Sequence, residues 1–255
     1  MLKKTKPWQV PILTYHYIRN YDNQEDSLGV GLSVSPENFE RQIKYLSENN
    51  YNTISFSDLF NNTILPPQPI ILTFDDGYED AYTEAFPVLK KYNFTGTFYI
   101  ITNKLYLTEN QLREMQAAGM NIGVHTENHL LLPNLNSKQL NSEILVSKSK
   151  LEGMGIQALD FSYPYGKHTW KVRRIVKKVG LRSAVTTVYG VNIHLCDRYQ
   201  MLRISVHNNH YGENLLSKIN SNLLSRPRWQ VFFCRILNRI FKNKINPLRY
   251  EINTK

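Results

Sequence analysis

Cysteine is nearly absent from this sequence: Cys196 and Cys234 are the only two in 255 residues. Neither sits in a Cys-x-x-Cys pair, so a disulfide framework is excluded and the two read as buried thiols that do not fix a compartment. Long apolar runs are missing as well. No stretch approaches about 18 apolar residues, which excludes a transmembrane helix. The start, Met1-Leu2-Lys3-Lys4, imitates the basic region of a signal peptide, but Pro7, Gln9 and Pro11 interrupt any apolar stretch behind it. As it stands, the chain is expected to be cytoplasmic or membrane-peripheral unless a leader lies upstream. Acidic residues are the minority, 21 Asp and Glu against 31 Lys and Arg, for a net charge of +10 and a pI near 9.5. That balance favours anionic partners such as phosphate-bearing lipids, anionic glycans or nucleic acid. No helix-turn-helix, RRM or zinc-finger signature accompanies it, so nucleic acid is not the expected partner.

What is present suits one large α/β domain or barrel: 42% hydrophobic residues over 255 positions support a substantial core. Tyrosine is abundant, 16 in all, which fits both carbohydrate surfaces and ordinary cores. Residues 10–15, 52–56, 70–74, 96–101, 121–124, 159–163, 183–188 and 202–206 read as strands. The run Ile70-Ile71-Leu72-Thr73-Phe74 has the continuous apolar character of a strand buried on both faces. Helices are expected between them. Ser35-Pro36 is an N-cap with proline in the first turn, followed by Phe39, Ile43 and Leu46 at helical spacing. Thr108 with Gln111 forms a capping box that opens a helix ending at Gly119. A helix over 79–92 should kink or restart at Pro87. Further helices are expected over 137–152 and 170–179.

This alternation argues for a parallel sheet, open or closed into a barrel, with chemistry gathered at the C-terminal ends of the strands. The polar residues found there are His16, Asp75-Asp76, His125, the Pro164-Tyr165-Gly166 turn and His207. From Arg226 to Lys244 the composition changes to six Lys/Arg and no Asp/Glu. Trp229, Phe232, Phe233, Ile236, Leu237, Ile240 and Phe241 fall on one face there, giving a basic amphipathic helix. It would either close one end of the domain or lie on an anionic membrane surface. The expected organisation is therefore a catalytic domain over 1–225 and a tail over 226–255.

Two adjacent carboxylates, Asp75 and Asp76, repel each other unless a cation resolves the conflict. One can then bind the cation while the other stays free as a base, and Gly77 lets the chain turn. His125 and His129, four apart with Glu127 between, have metal-ligand spacing. With Asp76 they make three protein ligands and leave positions open, the form of a catalytic site. The mixed set suits zinc first, and also cobalt, nickel or iron. Ser162-Tyr163-Pro164-Tyr165-Gly166 fixes a turn whose backbone N–H can point into the site.

The ordered set Thr-Phe-Asp-Asp-Gly, His-Thr-x-x-His and Tyr-Pro-Tyr-Gly resembles the polysaccharide deacetylases, the NodB-homology group of carbohydrate esterase family 4. The opening Leu13-Thr14-Tyr15-His16-Tyr17 resembles the subgroup acting on poly-N-acetylglucosamine, and the likeness runs over roughly residues 10–207. It implies a distorted (β/α) barrel and removal of N-acetyl groups from an N-acetylated glycan. It also implies a metal on Asp76, His125 and His129, Asp75 as general base, and the Tyr165 N–H at the oxyanion. The general acid would be His16, as in the poly-N-acetylglucosamine subgroup, or else His207. Many relatives carry an arginine where Ser162 stands, to orient the base; Arg203 is expected to take over by pairing with Asp75. The acidic-and-tryptophan motif that supports the acid in relatives is not recognisable. His168, His194 and His210 have no motif support. A competing reading is a carbohydrate-binding relative with an inactive site, against which the intact Asp-Asp-His-His set argues.

Overall fold

The structure, a computed structural model, describes residues 9–21, 29, 31–61, 64–193 and 197–224. The stretch from Arg226 to Lys244, the 226–255 tail as a whole, His194 and both cysteines lie outside the described residues. Seven parallel strands form the centre: β1 (Ile12–Tyr15), β2 (Pro69–Phe74), β3 (Thr97–Ile100), β4 (Asn121–Val124), β5 (Asp160–Ser162), β6 (Ser183–Tyr189) and β7 (Met201–Ser205). Each pairs with the next. β7 then returns to β1, with Ile204 opposite Leu13 and Ser205 opposite Thr14, so the sheet closes on itself as a barrel.

Alternation along the strands divides the apolar side chains in two. Leu13, Tyr15, Leu72, Phe74, Phe98, Ile100, Ile122, Val124, Phe161, Ala184 and Ile204 belong to the large core shared with the helices. Their strand neighbours Ile12, Ile71, Tyr99, Val185 and Met201 belong to a separate, smaller cluster inside the barrel. The outer layer is dense in aromatics: Phe74 stacks on Phe98 at 4.5 Å between centroids, and Tyr15 on Phe74 at 5.2 Å. Each such side chain contributes about 1.5–3 kcal/mol by burial. Inside, Gly123 makes room for Tyr99, since a Cβ there would lie 2.4 Å from the tyrosine ring.

The helices pack outside. α1 (Pro36–Glu48) is capped by the Ser35 hydroxyl, which accepts from the Asn38 N–H, and buries Phe39, Ile43 and Leu46. α2 (Phe86–Lys91), α3 (Glu109–Ala117), α4 (Ser137–Gly153), α5 (Trp170–Lys178) and α6 (Glu213–Leu224) follow. The capping box of Thr108 with Gln111 is present, and Asn136 with Gln139 forms a second one on α4.

Two local expectations are corrected, and a third is met in a particular form. The strand over 10–15 is broken at Pro11, which has no N–H for a ladder: Gln9–Val10 pairs with Asn192–Ile193 in a separate small sheet. The strand over 52–56 shrinks to Asn52–Thr53, because Phe56 already begins a short helix, Phe56–Asn61. The helix over 79–92 restarts at Pro87 as expected: a π-helical turn, Ala81–Ala85, is followed by α2 with Pro87 in its first turn, where a missing N–H costs nothing. No helix among the described residues is long and apolar enough to cross a membrane.

Candidate active site

Asp75 and Asp76 follow the last residue of β2. Asp75 continues the inward alternation of Ile71 and Thr73, and it is buried. Arg203, on β7, meets it with two hydrogen bonds: Nη1 donates to Oδ1 at 2.8 Å and Nη2 to Oδ2 at 2.6 Å. The same guanidinium donates to Thr73 Oγ1 at 3.2 Å, to Ser162 Oγ at 3.2 Å, and through Nε to the Thr186 carbonyl at 2.7 Å. β7 is adjacent to neither β2 nor β5, so Arg203 reaches both across the barrel interior. Ser162 Oγ lies 3.2 Å from Asp75 Oδ2, which makes this serine a polar partner of the carboxylate. Burial works to raise the Asp75 pKa, but the Arg203 charge and hydrogen bonds outweigh it and hold the carboxyl well below the ordinary range.

Asp76 turns the other way, with φ 74, and Gly77 follows with φ 71. Its Oδ1 lies 3.3 Å from His125 Nε2 and 3.6 Å from His129 Nε2. The ligand-type atoms of the three residues all fall within 4.8 Å of one another. His125 follows β4, and its Nδ1 is 2.8 Å from the Ser162 carbonyl. A carbonyl only accepts, so Nδ1 carries a proton there and Nε2 is the nitrogen directed at Asp76. His129 is placed by a tight turn: Thr126 and His129 have φ of 66 and 55, and the His129 N–H donates to Thr126 Oγ1. Glu143 of α4 clamps that turn by accepting from the Asn128 N–H at 2.9 Å and from its amide at 2.7 Å.

The donor set fits a divalent cation. Bond lengths of about 2.0–2.1 Å in a tetrahedral site put neighbouring ligand atoms about 3.3 Å apart, and Asp76 and His125 meet that spacing with both residues buried. Burial lowers the His129 pKa to about 4, leaving its ring neutral and available to a cation near neutral pH. Asp76 is held below the ordinary carboxylate range: burial opposes this, and the His125 hydrogen bond outweighs it.

His16, just after β1, has Nε2 3.9 Å from Asp75 Oδ2. Burial lowers its pKa, against the opposing pull of Asp75 and Asp76. His207 lies elsewhere: its Nδ1 is 2.9 Å from the Gly31 carbonyl and its ring packs edge-on against His210 at 5.0 Å. Tyr165 stands in the turn after β5 with φ 57, and its ring is 4.7 Å from His129. Gly166 fits there because a Cβ would collide with Thr187 at 2.1 Å. His168 stacks on Tyr163 at 4.5 Å. Of the seven non-glycine residues with positive φ among the described residues, four (Asp76, Thr126, His129 and Tyr165) are at this one place. Such backbone strain gathers where side-chain positions are over-determined.

A family model described as polysaccharide deacetylase matches residues 63–184. The Bacillus subtilis protein YxkH, which carries a provisional polysaccharide deacetylase name, is 34% identical over 214 residues, covering 80% of this chain and 74% of its own. The chain belongs to the polysaccharide deacetylase family. Within that family, the poly-β-1,6-N-acetyl-D-glucosamine N-deacetylase of Staphylococcus epidermidis is 26% identical over 226 residues, 77% of this chain and 78% of its own. The Streptococcus pyogenes deacetylase PplD, solved in complex with acetate, superposes with a TM-score of 0.78 at 29% identity, over 84% of this chain and 99% of its own. The closed parallel barrel with surrounding helices is thus the NodB-type barrel of polysaccharide deacetylases.

Sequence reading missed Ser162 and Thr73 as partners in the Asp75 network. Both stand inside the motifs quoted above, but a small hydroxyl names no partner there; their inward register across the lumen from Arg203 does.

Proposed function

We propose that the chain is a metal-dependent hydrolase that removes N-acetyl groups from N-acetylglucosamine-type residues of a glycan. One observation carries this reading: three metal-type donors, Asp76, His125 and His129, converge within 4.8 Å beside a buried carboxylate, Asp75, that Arg203 keeps ionised. Membership of the polysaccharide deacetylase family supports it, as does the similarity to a poly-β-1,6-N-acetyl-D-glucosamine N-deacetylase. A divalent cation held by the triad, zinc by preference, would polarise the acetyl carbonyl and lower the pKa of the attacking water.

The chain's own groups do the rest. Asp75 accepts the proton of the attacking water. Because Arg203 depresses its pKa, Asp75 is a weak base, suited to a water that has already been acidified. Arg203 and Ser162 orient that carboxylate. The Tyr165 N–H, fixed by the strained turn, stabilises the oxyanion. His16, 3.9 Å from Asp75, relays to the departing amine, otherwise a poor leaving group, the proton that Asp75 took from the water, which leaves Asp75 ionised and His16 neutral again. His207, turned to Gly31, has no part in this sequence of events.

The test is acetate release from β-1,4- and β-1,6-linked N-acetylglucosamine oligomers, before and after chelation and with zinc or cobalt restored. Release that follows the metal and falls at least a thousandfold in Asp75→Asn is the expected result. Release that persists after complete chelation would overturn the metal-dependent reading. No release with any metal, from a protein that still binds the oligomers, would leave a carbohydrate-binding relative with an inactive site.

A further inference from the structure

Three tyrosines gather on one side of the metal-type triad, each from the C-terminal end of a different strand. Tyr17 follows β1, Tyr78 follows Gly77 after β2, and Tyr106 lies in the loop after β3. These three strands are consecutive neighbours in the barrel. The Tyr17 and Tyr78 rings stack at 3.8 Å between centroids with 18° between planes. Tyr106 leans on Tyr78 at 5.3 Å and 46°. The Arg19 guanidinium sits 3.6 Å from the Tyr17 ring centre. The result is a column, Arg19–Tyr17–Tyr78–Tyr106.

The column touches the site at one point and solvent at the other. The Tyr78 hydroxyl interacts with the Asp76 carboxylate and with the Tyr17 side chain. Tyr106 is 47% exposed and its neighbour Leu105 41% exposed. The base of the column is fixed, because Asp80 Oδ2 accepts the Ile18 N–H at 3.0 Å and so ties the turn after β1 to the turn after β2. Tyr17, held between Arg19 and Tyr78, has both faces occupied. The ring face left for a ligand is that of Tyr106. Tyr165, 57% exposed, stands beside His129, so exposed tyrosines accompany two members of the triad, Tyr165 at His129 and, through Tyr78, Tyr106 at Asp76.

A rigid aromatic face with a hydroxyl at its edge is suited to the apolar C–H face of a pyranose ring. Resting on the deacetylase reading, we propose that Tyr106, backed by Tyr78 and the Tyr17–Arg19 stack, is a subsite for a sugar residue neighbouring the one deacetylated. The substrate is then an extended glycan and not an isolated sugar. Binding at such a subsite draws on parts of the substrate remote from the acetyl group and serves to orient it.

The experiment measures the affinity of the full chain, kept in chelator so that no turnover occurs, for the monosaccharide N-acetylglucosamine and its β-linked hexamer. Wild type is compared with Tyr106→Ala and Tyr106→Phe. Tyr106→Ala is expected to weaken hexamer binding about three- to tenfold, leave monosaccharide binding unchanged, and be rescued by Tyr106→Phe. Unchanged hexamer affinity in Tyr106→Ala, or an equal loss for monosaccharide and hexamer, would overturn the subsite. The readout is binding, so a failure of the deacetylase reading, seen as absent acetate release, leaves this result interpretable on its own.

Discussion

The two faces of the same seven strands are built on different rules. Outside, Leu72, Phe74, Phe98, Ile100, Ile122 and Val124 meet helix side chains in one continuous apolar layer. Inside, only the lower part is apolar. Toward the C-terminal ends the lumen holds Thr73, Asp75, Ser162 and Arg203, joined by directed hydrogen bonds. The outer layer spreads its stabilisation over many interchangeable contacts. The inner network concentrates charge in one place, where each group has a specific partner and no water to replace it. The outer face thus maintains the fold, and the inner face holds the candidate site at some cost in stability.

Substitutions can break this comparison at chosen points. Arg203→Met should have the largest effect, since it strands Asp75 as a buried carboxylate without its cation. Losing one partner of such a pair costs about 3–5 kcal/mol, readable by thermal melting. The sign of the pH effect follows from the pairing. Arg203 lowers the Asp75 pKa, so without it the pKa rises and the acid limb of the kcat/KM profile moves to higher pH. An unmoved limb would mean that Asp75 ionisation does not govern turnover.

Phe74→Ala should come next, with about 3–5 kcal/mol lost from the outer layer and a fall in Tm of about 10 °C at 2–4 °C per kcal/mol. The folded fraction should nevertheless keep its turnover within about twofold, because Phe74 faces away from the site. Tyr99→Phe should have the smallest effect. The Tyr99 hydroxyl is buried in the lumen with no hydrogen-bond partner among the described residues, so removing it should change stability by no more than about 1 kcal/mol, toward greater stability. A loss of several kcal/mol would show that this hydroxyl belongs to the inner network.

The sequence reads clearly where one residue type has one physical use. Ser35-Pro36 and Thr108 with Gln111 cap helices as expected, and the strand–helix alternation leads to the parallel barrel. Asp76 meets the pair His125 and His129, which are far from it in the chain, because Asp76 follows β2 and the two histidines follow β4. The pairing of Arg203 with Asp75 was accessible only by asking what would replace an arginine at Ser162. Other features depend on register and three-dimensional closure. Strand alternation alone does not show that Arg203 spans the lumen, or that Tyr17, Tyr78 and Tyr106 form one column. The π-helical turn before α2 arises from how Pro87 is accommodated, which a helical pattern over 79–92 does not distinguish from a kink.

The seam of the barrel has a consequence for synthesis. β1 lies between β2 and β7, paired at Leu13–Leu72 on one side and Leu13–Ile204 on the other. A ribosome delivers β1 and β2 early and β7 last of the seven, so the ring cannot close until residues 201–205 have emerged. Until then Asp75 lacks the arginine that neutralises it, and the carboxylate has reason to stay in water. Arg203 thus both closes the barrel and makes it acceptable to bury the charge, and vectorial translation sets these two events to the same moment.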